Sequence, residues 1–360
     1  MSRIMKLLAA VLALTMLASA CGDDDGTAAS SDLPTVVVTT NILGDVVTQL
    51  AGGAFEVVTI MPVGADPHDF QASAQQAAAM RTADVLIVNG GSFEEGLLDV
   101  IEGAESDGVN VYEAISVVST IEFGEGGHDH GGHDDHDGHD DHDDHDDHDD
   151  HDDHDDHDDH DDHDDHGDHE GHDDHSGHDH SGEDPHFFTD PARMAAAVDG
   201  IAAFLIANVE GIDADTVTEA AEAYHAELEA LDAEVAALVA DIPAENRVLI
   251  TNHEVFGYFA DRYGFEVAGA IIPSGSTLDG TSAGDLAELA ELITDAGVPA
   301  IFSDVSASDQ LAQTLADEVG RGVQVVELFT ESLGDSDSEG ATYINMVRTN
   351  ATRIAEALAS

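Results

Sequence analysis

A chain of 360 residues with a formal net charge of −69 and a single cysteine narrows the field before any motif is read. So large an acidic excess argues against nucleic acid as a partner, because the phosphate backbone is gripped through Lys and Arg. One cysteine excludes an intrachain disulfide and a thiolate zinc site, so any metal must be held by His and carboxylate.

The first twenty residues carry Arg3 and Lys6, an apolar run over 7–17, and the small residues Ala18, Ser19 and Ala20 before Cys21. That pattern predicts a secretory signal over 1–20, since the run is shorter than the ~20 residues a bilayer span needs. Small residues before a cysteine predict lipidation of Cys21, although Leu17 stands one place earlier than the usual cleavage box has it. The plainer alternative is a soluble secreted protein with an incidental cysteine. The stretch 21–33 is polar and aperiodic, which suits a flexible tether.

From residue 34 short apolar runs alternate with helical patterns. Strands are expected over 35–40, 55–60, 84–89 and 109–118, and helices over 42–50, 73–81 and 93–101. Such alternation predicts a parallel sheet covered on both faces. This first α/β lobe is expected to span 34–211, with a helix over 191–208 near its end. A pattern free of Gly and Pro follows over 213–240, read as one rigid helix within a connector over 212–242. Strands over 247–251, 265–272, 300–303 and 323–329 then alternate with helices over 254–263, 282–296, 310–319 and 343–359. They predict a second α/β lobe over 243–360.

The first lobe is interrupted between His128 and His180 by a tract that is almost wholly His and Asp, with His at every third position from His133 to His178. It cannot bury a core and is expected to be disordered without metal. Neutral imidazoles spaced by aspartates can collect divalent ions weakly. His133, His136, His139, His142, His145, His148, His151, His154, His157, His160, His163 and His166 are its candidate accessory ligands. A tolerated low-complexity expansion is the alternative.

Only four histidines lie outside the tract: His68, His186, His225 and His253. His68 and His186 share the context Asp-Pro-His, in which proline stiffens the backbone that presents the imidazole. Asp66 and Asp184 would then either shape the turn or orient the ring. His68, His253 and Glu331 each follow an expected strand, where ligands bind in open α/β sheets. His225, among glutamates in the long helix, reads as a solvated residue.

Met61-Pro62-Val63-Gly64-Ala65-Asp66-Pro67-His68, Asp184-Pro185-His186, His253 with Phe256-Gly257-Tyr258-Phe259, and Phe329-Thr330-Glu331-Ser332-Leu333-Gly334 together resemble the solute-binding lipoproteins of bacterial zinc and manganese ABC importers. The resemblance implies two α/β lobes joined by a single long helix, with metal in the interlobe cleft and modest lobe motion. It implies His68, His186, His253 and Glu331 as the four metal ligands. Phe187-Phe188-Thr189 departs from the family's commoner pattern.

In that family manganese binders often carry Glu where His253 stands, and imidazole suits zinc, so Zn2+ is the expected cargo. Four protein ligands would also leave no open position for hydrolytic water. The resemblance implies a monomeric partner of an ABC permease and its ATPase subunits. Those are other chains, since no G-x-x-x-x-G-K-[ST] motif occurs here. Competing readings are a manganese carrier, a zinc hydrolase using Glu254 as base, and an extracellular zinc buffer or adhesin.

Overall fold

The computed structural model describes residues 33–123, 182–320 and 322–359. The expected signal segment, Cys21 and the His/Asp tract lie outside the described residues.

Four strands, β1 (Thr35–Val38), β2 (Glu56–Thr59), β3 (Val85–Val88) and β4 (Asn110–Glu113), form one parallel sheet in the order β2-β1-β3-β4. Their sequences explain the order. The VLIV of β3 is buried throughout and β1 nearly so, whereas β2 and β4 carry exposed positions and take the edges. Parallel neighbours need long crossovers, supplied here by α1 (Asn41–Ala51), α2 (Ala74–Arg81) and α3 (Leu98–Ser106). The hydroxyl of Thr40 accepts from Leu43 N to start α1, which Gly52 ends in the left-handed conformation.

The second group of strands is β5 (Val248–Thr251) paired with β6 (Glu266–Ala270), and β7 (Ala300–Asp304) paired with β8 (Gln324–Leu328), again parallel. β5 and β7 lie side by side without a continuous ladder. The crossovers are α6 (Gly257–Tyr263), α7 (Ala283–Ala296) and α8 (Gln310–Val319). Successive strands are added to opposite sides of β1 and β3, and likewise of β5 and β7, so the loops between those central strands part and open a crevice.

α4 (Pro191–Asn208) packs on the first lobe, and α5 (Ala214–Val239) follows it. Asp213 caps α5, and its 26 residues extend about 40 Å. Val217, Ala221, Tyr224, Leu228, Leu231, Val235 and Val239 recur every three or four positions and are buried as one stripe. That stripe packs on α1, α4 and the closing helix α9 (Tyr343–Leu358), so one helix braces both lobes. Truncating the fully buried Leu228 to alanine would cost about 2–5 kcal/mol.

Two helices start later than the periodicity predicts. Over 93–101 the chain makes a 3-10 turn at Glu95–Leu97 before α3 begins. Over 254–263 helix forms only from Gly257, because Val255 N donates to His253 O and Glu254 N to Ser274 O, which turns the backbone out of helical register.

Candidate metal centre

Loops of both lobes converge on Glu331, three residues beyond β8. His68 reaches it from the loop after β2, His253 from the turn after β5, and His186 from the segment before α4. Oε1 of Glu331 lies 2.8 Å from His68 Nε2, 3.1 Å from His253 Nε2 and 3.2 Å from His186 Nε2. The four side chains each offer an atom within 4.8 Å of the others, and all are at most 2% exposed. Phe93 stands edge-on to His68 and His186, with ring centroids 5.3 and 5.4 Å away.

Each Asp-Pro-His segment uses its aspartate in the same way at the backbone. His68 N donates to Asp66 Oδ1 and His186 N to Asp184 Oδ1, both at 2.9 Å. The rings are then held differently. His186 Nδ1 donates to the same Asp184 oxygen at 2.7 Å, whereas His68 Nδ1 donates to Glu95 at 2.9 Å. A carboxylate can only accept, so each Nδ1 carries the hydrogen and each Nε2 faces the centre. Tyr258 fixes the Asp184 carbonyl with a 2.6 Å hydrogen bond, and Asn89 donates to Pro185 O.

Glu331 is positioned by its neighbours. Thr330 donates its hydroxyl to the buried Asp304, Leu333 N donates to Asn41 Oδ1 at 2.8 Å, and Asn41 Nδ2 donates to Ser332 Oγ at 3.0 Å. The last two contacts join the lobes. Burial alone would raise the Glu331 carboxyl, but the His253 and His68 imidazoles and a hydrogen bond from His186 hold it well below the usual carboxylate range. Burial likewise opposes charge on His68, yet Glu331 and Glu95 push its pKa up to about 10. His186 is also raised, because Asp184 and Glu331 outweigh its burial.

His253 differs from the other two. It is fully buried; its Nδ1 has no hydrogen-bond partner among the described residues, and its Nε2 meets only the Glu331 carboxylate, at 3.1 Å. Three inward-facing Nε2 atoms around one carboxylate make a pocket that a cation must neutralise, whether protons or a metal.

His225 lies apart from this cluster, 3.0 Å from Asp199 and partly exposed. Glu95, Phe93 and Asp304 escape a reading by motif. The one signal for Glu95 is an acidic pair, Glu94-Glu95, set just beyond a strand that ends at Gly90-Gly91. Glu94 anchors that loop by accepting from Thr39 Oγ1 and Asn89 N, both at 2.6 Å, where Ser92 takes φ 60°.

A two-lobed α/β protein whose cleft seals three histidines around one carboxylate defines the class. The chain matches the ZnuA family, described as zinc-uptake complex component A, periplasmic, over residues 36–357, and it belongs to that family. It is 29% identical to the zinc-binding protein TroA of Treponema pallidum, with 98% of each chain covered. Identity to the manganese-binding lipoprotein MntA of Bacillus subtilis is 26%, again with 98% of each covered. The solved structure of the T. pallidum periplasmic zinc-binding protein superposes with a TM-score of 0.71 at 26% identity, covering 91% of this chain and all of that one.

Proposed function

We propose that His68, His186, His253 and Glu331 hold one Zn2+ ion as cargo, and that the protein is the extracytoplasmic, high-affinity zinc-binding component of an ABC importer. It hands zinc to a membrane permease driven by separate ATPase subunits and performs no catalysis itself. Lipidated Cys21 tethers it to the cell membrane as a monomer. The lobes are 34–211 and 243–360, joined by the rigid helix within 212–242, and the His/Asp tract gathers zinc as an accessory.

The observation that carries this reading is His253, a fully buried imidazole with no partner on Nδ1 and with its Nε2 aimed at Glu331, 3.1 Å away. Such a group is costly unless something binds it. A tetrahedral zinc with arms of ~2.0–2.1 Å has edges of roughly 3.3–3.4 Å between ligand atoms. The 2.8–3.2 Å separations around Glu331 Oε1 need only a slight expansion to match. Three imidazoles favour zinc over manganese, which prefers oxygen, and four protein ligands leave no place for a hydrolytic water.

Calorimetric titration with Zn2+ and Mn2+ tests this, using the mature chain, a version lacking 128–180, and His253→Ala. One tight zinc site that survives tract deletion and collapses in His253→Ala is expected. Tight binding that vanishes with the tract would make the protein a zinc buffer instead. A manganese carrier would show tighter Mn2+ than Zn2+ binding at the same site, in keeping with the manganese-binding name of the B. subtilis relative.

A further inference from the structure

All four clustered side chains are buried, but one of them forms part of a cavity wall. A cavity of about 410 Å³ opens beside the cluster, lined on one side by Asp69, Ser92 and Glu95 and on the other by Gly275 and Leu278. Of the four, His68 alone borders it. Its floor is closely packed: a Cβ added at Gly96 would come within 2.3 Å of Phe70 O, so the loops carrying His68 and Glu95 touch at the backbone. Glu95 occupies the junction, with one oxygen 2.9 Å from His68 Nδ1 and its side chain 14% exposed. The corresponding carboxylate for His186, Asp184, is sealed at 2%.

We infer that divalent ions enter and leave the centre through this cavity, and that Glu95 is the carboxylate that first takes hold of them. The inference rests on the four-residue centre being the metal site. A hydrated ion must trade waters for protein ligands one at a time, and a partly exposed carboxylate touching the outermost imidazole supplies the first oxygen. Asp69 adds negative potential to the same wall, which concentrates cations at the mouth. Glu95 is therefore a positioning and transfer residue, whereas Asp184, with no solvent face, only orients its ring.

Stopped-flow mixing of the full chain with Co2+ tests the route, because cobalt absorbs more strongly in a tetrahedral site and so reports the centre rather than the tract. Glu95→Gln keeps an acceptor for His68 Nδ1 and removes the charge. Its association rate is expected to fall roughly tenfold at low ionic strength, with a weaker dependence on salt. An unchanged association rate, whatever happens to dissociation, overturns the inference. Should Glu95→Gln not fold, Leu278→Lys takes its place, since Leu278 is 57% exposed at the rim and the lysine adds a cation there. Association must again slow, and an unchanged rate overturns the route. Failure of the metal-site reading is seen separately, as an equilibrium affinity that His253→Ala leaves intact.

Discussion

The two Asp-Pro-His segments are the same tripeptide put to different use. In both, the aspartate accepts the histidine backbone N–H at 2.9 Å, so the turn itself is identical chemistry. At 184–186 the carboxylate also takes the imidazole Nδ1, closing a local unit buried from solvent. At 66–68 the second oxygen of Asp66 accepts instead from Thr277 Oγ1 at 2.6 Å, across the cleft, and Glu95 supplies the ring's partner. Both segments reach the second lobe, one through Tyr258 to the Asp184 carbonyl and the other through Thr277 to the Asp66 carboxylate. Of the two imidazoles, His68 alone borders the open cavity.

Removing either imidazole should have the largest effect. His186→Ala and His68→Ala each delete a proposed ligand, and zinc affinity measured by competition with a chelator is expected to fall by more than the roughly 10–100-fold typical of losing an orienting partner. Equal losses in the two variants would show that the segments differ only in their surroundings.

Acidity should act on both segments in one direction. The His68 pKa is raised to about 10 and that of His186 is also raised, so an ion bound at this centre is expected to expel protons from it. Zinc affinity is expected to rise with pH between about 6 and 8, by about tenfold per unit for each proton released. Calorimetry in buffers of different ionisation heat counts those protons. For the metal-free fold the sign is reversed. A raised histidine pKa contributes stability fully present below the unfolded value of about 6.5 and lost as pH climbs through about 10. Melting curves should therefore diverge, with metal-free protein weakening and loaded protein gaining as pH rises.

Asp184→Asn should separate the segments more sharply. The amide can still take the backbone N–H but no longer bears the charge that holds the His186 ring, and affinity should drop about 10–100-fold. Asp66→Asn, whose ring contact is made by Glu95, should cost distinctly less. A reversal of that order in chelator competition would contradict the division of labour between Asp66 and Asp184.

Much of this was legible in the chain. The stripe on α5 follows directly from 3.6-residue spacing, and buried strands such as Val85–Val88 from unbroken apolar runs. The convergence of His68, His186, His253 and Glu331 was expected from a resemblance, and each of the four also stands after an expected strand or in a stiff turn. The late starts of α3 and α6 were not legible, because side contacts such as Glu254 N to Ser274 O divert the backbone. Nor could the sequence tell Asp66 from Asp184. Identical tripeptides differ only in what folding brings beside them, and Glu95 and Thr277 lie 27 and 211 residues from the groups they meet.

The smallest expected effect is the most informative about motion. Thr277→Val removes the hydroxyl that reaches Asp66 while keeping the shape of the side chain, and it leaves every proposed ligand in place. One such hydrogen bond contributes about 1 kcal/mol, so zinc affinity should change by about fivefold at most. If Asp66 serves the turn alone, dissociation should keep its wild-type rate. If it also draws the loop around 274–279 toward the His68 loop, the variant should release metal faster, with the association rate unchanged. That asymmetry would mark the first Asp-Pro-His segment as the moving side of the cleft. Its absence would leave both segments as fixed posts, distinguished only by the cavity beside His68.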